Sequence, residues 1–366
     1  MYEFNLISVL LLFISAIIGL IYLICWLYRK IKNNDLKPAI NLSELDQKFR
    51  KLTIKTKIKR WAITAWIALV VVSALWFIGW QLNSAAMEKA YNDTVAQANN
   101  FLLTQEPNIY ANNQIVTDYG TFSSNLHSDT YKDIDGYQVP WEAFDWGYGT
   151  FAGGGPIGYQ TFSYQQRNNG NYTQGQQKVA SFISPTVNQK DKNYYGLKTT
   201  HEASTLKDLP NHLAEVAVSF DKPYSYAEIQ KMIPSNLLIN WYWIGLSDPS
   251  NVDAASSGST YGLGSDFGAG GNLSGKLSDE TYKTFVFNVE EAQKYPVANS
   301  TINNFSPTKD ALKQVEKYPT LPTAKFSGVI LTGRTENLVK LDQESWAFAT
   351  NVGLTTELLP YQKPTK

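Results

Sequence analysis

Leu213-Ala214-Glu215-Val216-Ala217-Val218-Ser219-Phe220-Asp221-Lys222-Pro223-Tyr224-Ser225 and, a little further on, Leu237-Leu238-Ile239-Asn240-Trp241-Tyr242-Trp243-Ile244-Gly245-Leu246 decide how this chain folds. Val216, Val218 and Phe220 alternate with Ala217 and Ser219, the period of two that marks a strand with one face buried. Asp221-Lys222-Pro223 breaks that strand. Ser225 followed by Glu228 is a capping box, with Tyr224 and Ile229 placed as its hydrophobic staple. The helix it starts carries Ala227, Ile229, Met232 and Ile233 and ends before Pro234. The second run is apolar nearly throughout and rich in aromatics, which reads as a central strand.

Downstream, a long insertion includes the Gly/Ser-rich stretch Ser256 to Ser274 and a helix from Thr308 to Lys317, bounded by Pro307 and Pro319. Phe326 to Leu331 is then a strand, Thr335 to Leu341 a short helix and Trp346 to Thr350 a final strand. The order β-α-β, insertion, β-α-β predicts an α+β fold with a ferredoxin-like unit, an antiparallel sheet with two helices packed on one face. Upstream, residues 108–204 mix Tyr, Gly, Asn, Gln and Thr with few long apolar runs, the composition of an irregular, β-rich region of short strands and long loops.

Further upstream the chain becomes apolar twice. Ile7 to Leu27 is broken only by Ser8, Ser15, Gly19 and Cys25, and about 20 such residues cross a bilayer core. Trp61 to Trp80 is a second span, with tryptophans at both interfaces. The segment between them is basic, with eleven Lys and Arg from Arg29 to Arg60 against Asp35, Glu44 and Asp46. Positive loops of this length stay cytoplasmic, which places the N-terminus and residues 82–366 outside a plasma membrane crossed twice. The expected organisation is span one at 1–28, a basic cytoplasmic loop at 29–60, span two at 61–82, a juxtamembrane helix at 83–107, the β-rich region at 108–204 and the α+β domain at 205–366. Within the loop, Asn41 and Glu44 form a second capping-box pattern. Leu42, Leu45, Phe49 and Leu52 follow at helical spacing as an apolar stripe on a basic helix. Two readings of that stripe are open: a helix lying on the inner membrane surface before it turns into the span, or a docking surface for a cytoplasmic partner.

The whole chain has 32 Lys+Arg and 32 Asp+Glu, so its zero net charge conceals a basic loop and an acidic remainder, with 21 basic against 28 acidic residues in 82–366. That remainder disfavours direct nucleic-acid binding. One cysteine, Cys25, excludes an intramolecular disulfide framework and any multi-cysteine metal site, a usage commoner among Gram-positive surface proteins than among eukaryotic secreted ones. His127, His201 and His212 are widely spaced, without a metal-binding pair. The glycines from Gly147 to Gly155 lack the Lys-Ser/Thr of a phosphate loop, and Asp129, Asp133 and Asp135 lack the rest of a calcium-loop register. No cofactor, metal or catalytic residue is predicted. Trp141, Trp146, Tyr148, Phe151, Tyr159 and Phe162 suit either glycan stacking or core packing.

Ala214 to Ser225, Ile233-Pro234, Asn240-Trp241-Tyr242-Trp243 and Gly328-Val329-Ile330-Leu331-Thr332-Gly333, ahead of a short Glu/Leu helix, resemble the C-terminal domain of the sigma factor regulator family. The pattern residues are Phe220, Asp221, Lys222, Pro223, Tyr224, Trp241, Trp243, Gly328, Thr332 and Gly333, mainly structural in role. The basic stretch ending in Phe49-Arg50-Lys51 and Lys57 to Arg60, ahead of a span, resembles the family's N-terminal domain. The resemblance covers residues 205–355 and 45–82. Members are membrane-bound anti-sigma factors or their relatives in Firmicutes, with a cytoplasmic segment that restrains an extracytoplasmic-function sigma factor and an exported domain. They usually carry one span after a cytoplasmic N-terminus, whereas here an additional span leaves about 33 residues inside.

The resemblance implies a membrane-anchored, non-enzymatic regulator of such a sigma factor, responding to an envelope signal. Its partners would be the sigma factor, a membrane protein supplying further contacts, and an extracytoplasmic ligand. The competing readings are an envelope scaffold or adhesion module with no transcriptional role, and an exported hydrolase, for which no nucleophile or acid pair can be named.

Overall fold

Between Leu42 and Gln105 the chain contains no proline and one glycine, Gly79, and the computed structural model carries this whole segment as one 64-residue helix, α1 (Leu42–Gln105). The expected turn into the span and the separate juxtamembrane helix are therefore absent. A single helix-interior glycine costs only about 1 kcal/mol, too little to break a helix whose neighbours all favour it. The structure describes residues 18, 19, 22, 42–151, 154–156, 165–167, 170–173, 175–258, 260–295, 301 and 304–366. The first predicted span lies outside these apart from three positions, as does Asn41. Among the described residues, one helix is long and apolar enough to cross a membrane, and most of its large apolar side chains from Ile67 to Leu82 are exposed, Ile67, Leu69, Val72, Leu75 and Ile78 among them.

The chain divides into two units, residues 1–88 and 89–366. The first contains the apolar part of α1. The second contains the last turns of α1 and all the strands among the described residues, and within it the buried Ala98 and Leu102, together with a hydrogen bond from Asn100 Nδ2 to the Asn288 carbonyl (2.7 Å), tie the helix end down.

After α1 the region expected to be irregular and β-rich opens on an ordered antiparallel sheet, with strands longer than the short ones expected, in the order β1 (Ile109–Thr117), β2 (Ser123–Ile134), β3 (Tyr137–Gly149) and β4 (Gly155–Pro156). β2 and β3 have 12 and 13 residues and form a hairpin closed by Asp135-Gly136, both at positive φ (55° and 88°), the geometry of a two-residue turn whose twist matches its strands. Three short strands, β5 (Gln165–Arg167), β6 (Gly170–Tyr172) and β7 (Lys178–Val179), make a small second sheet.

The rest follows the strand and helix order read from the sequence: β8 (His212–Ser225), α2 (Tyr226–Met232), β9 (Leu238–Trp243), α3 (Val252–Ser256), β10 (Gly262–Gly264), α4 (Asp279–Ala292), α5 (Pro307–Lys317), β11 (Lys325–Arg334), α6 (Thr335–Leu338) and β12 (Ala347–Glu357). Its strands form one antiparallel sheet in the order β10-β9-β11-β8-β12. α3, β10 and α4 have no counterpart in the sequence reading. Ser225 caps α2 through its side chain while Glu228 returns to the Ser225 backbone, so both halves of the capping box are present.

The main core lies on the helix-covered face of this sheet. Ala214, Val216, Val218 and Phe220 of β8 meet Ile229 of α2, Phe285 and Val289 of α4, Val315 of α5 and Leu338 of α6. The opposite face is also buried, with Ala217, Trp241 and Ile330 against Ala180 and Phe182. Asp221-Lys222-Pro223 does not end β8. It forms an exposed irregularity, where Gly328 pairs with Ser219 and Phe326 with Tyr224.

Candidate functional site

β9 carries the residue that organises the unit. Trp241 pairs with Ile330 and Ile239 with Leu331, so Asn240 is the extra residue of a β-bulge. The bulge puts Asn240 and Trp241 away from the main core, which holds Ile239 and Tyr242. The fully buried Asn240 donates through Nδ2 to Asn108 Oδ1 (2.9 Å) and to the Asp133 carbonyl (2.7 Å), and accepts at Oδ1 from Thr332 Oγ1 (2.7 Å). Thr332 Oγ1 in turn accepts from the Asp135 amide (3.0 Å). Asn108 donates to the Asp133 carbonyl (2.8 Å) and to Glu215 Oε1 (3.0 Å).

The same network closes on an ion pair. Lys132 Nζ lies 3.0 and 2.8 Å from the two Glu215 oxygens, with the lysine side chain 2% exposed and the glutamate 0%. The ammonium also sits 4.3 Å over the Trp141 ring centroid. Taking two charges out of water is costly, and this geometry offsets it by using both carboxylate oxygens and a ring face. Burial raises the Asp133 carboxyl, and pushes that of Asp135 up to about 7. One Asp135 oxygen accepts from the Lys366 amide (3.0 Å), while Oδ2 is buried without a partner among the described residues.

The sequence-derived pattern residues separate into three places. Phe220 is in the main core, edge-on to Tyr224 and Trp346, while Asp221, Lys222 and Pro223 are exposed. Tyr224 donates to Asp221 Oδ1 (2.8 Å), and burial pushes its phenol up to about 12. Trp241, Trp243 and Gly328 share the opposite face: Phe182 stacks on Trp243 at 4.8 Å, and a Cβ on Gly328 would meet the Phe182 ring at 2.9 Å. Thr332 belongs to the polar network, and a Cβ on Gly333 would stand 3.0 Å from Leu237. Of the stripe, Phe49 and Leu52 are exposed on α1, with Leu42 and Leu45 on the same helix.

Asp129, Asp133 and Asp135 do not converge. Asp133 Oδ1 accepts from the Gly136 amide (2.8 Å) within the turn, and Asp129 reaches His127. A hydrogen bond to Asp145 (2.7 Å) raises the His127 pKa. Among the described residues no three His, Cys, Asp or Glu side chains are placed to hold a metal. Sequence reasoning missed Lys132, Glu215, Asn108 and Asn240. The legible signal was Asp135-Gly136 between two alternating runs.

The fold defines an α+β protein with one helix, among the described residues, of membrane-spanning length and apolarity. Residues 50–139 match the sigma factor regulator N-terminal model and residues 206–354 the sigma factor regulator C-terminal model, together more than half of the chain. The chain belongs to the sigma factor regulator family and is an anti-sigma-factor-like regulator. No curated protein and no solved structure matches it. The N-terminal match extends well past the span, through β1 and β2. Lys132, Asp133 and Asn108 from that match thus meet Glu215, Asn240 and Thr332 from the other, in one unit.

Proposed function

We propose that the chain is a plasma-membrane regulator that restrains an extracytoplasmic-function sigma factor through its basic segment, and that residues 82–366 lie outside the membrane and take up an envelope signal. The observation that carries this is the pair of family matches, the first of which begins at Arg50, inside the basic stretch. Exposure of Phe49 and Leu52 on α1 supports the stripe of Leu42, Leu45, Phe49 and Leu52 as the surface offered to the sigma factor. The charge distribution supports a cytoplasmic loop between two spans. Gly19, in the first apolar run, lies so close to Trp66 that a Cβ there would collide with the indole, which supports a hairpin of spans. The outer domain is read as ferredoxin-like, since β12-β8-β11-β9 with α2 after β8 and α6 after β11 is the split β-α-β order, extended by β10.

Signalling then requires that an outside ligand bind two arrangements of the chain with different affinity, because a ligand shifts an equilibrium only by that difference. The test is co-purification from membranes. A sigma factor is expected to accompany the wild-type chain and to be lost when Leu42, Leu45, Phe49 and Leu52 are all changed to Asp. Equal recovery with both chains, or none with either, would refute the proposal.

A further inference from the structure

Three large aromatic rings stand in water at one end of the second unit: Tyr119 is 75%, Phe122 54% and Phe151 86% exposed. Tyr119 and Phe122 lie in the β1–β2 turn and Phe151 just past β3. The β2–β3 pairing brings them together, since Ser123 pairs with Gly149 and the Thr150 amide donates to the Phe122 carbonyl (3.0 Å). The Phe122 and Phe151 ring centroids are 5.7 Å apart. Burial pushes the Tyr148 phenol up, and the nearby Tyr91 and Tyr119 phenols push it the same way, so Tyr119 belongs to the same cluster. Exposed apolar groups that gather into a patch, rather than standing singly, mark a surface with a partner.

Contacts along α1 fix which end of the unit this is. Phe101 meets Trp146 with ring centroids 6.1 Å apart, and Tyr91 meets Tyr148 at 5.8 Å. A Cβ on Gly154 would run into Thr94 Oγ1. β3 thus runs back along α1 toward Lys89, the residue at which this unit begins, and the rings lie at that end. Residues 81–88 alone join Lys89 to Trp80, the last tryptophan of the apolar stretch, a reach of at most about 30 Å even when fully extended. Lys89 is therefore held within that distance of a bilayer crossed by α1.

The chemistry of this end fits the headgroup layer. Aromatic side chains concentrate there, with an apolar body for the acyl boundary and, in tyrosine, a hydroxyl for the wet side. From Tyr110 to Tyr131 and from Asp133 to Gln166 the chain has no Lys or Arg, so attraction to anionic lipid is not the driving force. Asp118, the acid of the turn, is held by Asn125 Nδ2 (2.6 Å).

We propose that Tyr119, Phe122 and Phe151 insert into the headgroup layer of the bilayer and give this unit a hold on the membrane in addition to α1. The proposal rests on α1 crossing a membrane and needs no sigma factor. The test is nitroxide accessibility in the full chain carrying Cys25→Ser, in phosphatidylcholine nanodiscs, with one spin label at Phe151→Cys, Tyr195→Cys or Leu75→Cys. Tyr195, 70% exposed, lines a cavity with Pro107, past the other end of α1, and Leu75 lies in the apolar stretch. The ratio of oxygen to nickel-chelate accessibility is expected to be several-fold higher at position 151 than at 195, with or without added phosphatidylglycerol. Tyr119→Ser with Phe122→Ser should bring it down to the value at 195. A ratio at 151 equal to that at 195, one raised only by phosphatidylglycerol, one unmoved by the double substitution, or spin–spin broadening from a second copy seated on the rings would overturn the proposal. A lipid-like ratio at 75 beside a water-like one at 151 would overturn it and leave the membrane placement standing, whereas a water-like ratio at 75 would remove both.

Discussion

The helix-covered face of the five-stranded sheet presents Ala214, Val216, Val218 and Phe220 from β8, whereas the buried positions of β2 include Ser124, Ser128, Thr130 and Lys132 around Leu126. Both strands are long, antiparallel and in the same unit. The first is held by apolar burial, which is non-directional and supplies energy. The second is tied to β8, β9 and β11 by directional contacts, the Lys132–Glu215 pair and the Asn108, Asn240 and Thr332 bonds. Such contacts add little net stability, since desolvation offsets most of their gain. Their effect is positional. They fix where β2 sits on β8, β9 and β11.

This contrast is broken most severely at the ion pair. Lys132→Met leaves Glu215 buried without its cation and should cost about 3–5 kcal/mol in urea unfolding of the full chain in detergent. Adding Glu215→Leu should restore most of that loss, because an apolar pair of similar volume carries no desolvation cost. A double variant as unstable as the single one would contradict the positional reading. On the apolar side, Ile229→Ala should cost about 2–5 kcal/mol, with no second-site substitution of this kind to rescue it.

The hairpin turn separates the two regions by pH. Folding holds the Asp135 proton to about pH 7, against an ordinary value of 3.8, so the folded state binds more protons between those values. Stability conferred by the protonated carboxyl is therefore present at low pH and lost as pH rises through that window. Asp135→Asn, which keeps an Asx-Gly turn, should raise stability by about 1–3 kcal/mol at pH 8 and change it little at pH 4. Thermal melts at the two pH values check this, and an equal effect at both would contradict it. The smallest effect expected is at the cap of α2, where Ser225→Ala should cost about 1 kcal/mol by the same urea measurement.

The difference between the sheets also explains what could be read from sequence. β8, α2, β9, β11 and β12 were legible because their apolar period and the Ser225–Glu228 box follow from local chemistry. The β2–β3 hairpin was not, because its buried positions carry serine, threonine and lysine, which hydropathy reads as surface. Glu215 lies 83 residues from Lys132 and Asn240 107 residues from Asp133, so no local pattern joins them. Asp135-Gly136 was the available clue. β10 is three residues long and mostly glycine, too short to show a period. The merging of three expected segments into α1 has the opposite cause: changes of composition along the chain are not helix breaks unless proline or a cap interrupts the hydrogen bonds. As for the candidate site, Trp241 and Thr332 were legible as pattern residues, but Lys132, Glu215 and Asn240 come together only once β2, β8 and β9 are assembled.

The central claim concerns what the regulator restrains, and sigma-dependent transcription tests it most directly. Cells whose only copy carries Asp at Leu42, Leu45, Phe49 and Leu52 are expected to show raised output from the promoters of one extracytoplasmic-function sigma factor, with the protein present in the membrane at its usual level. Unchanged output from every such promoter, at equal protein level, would contradict the account.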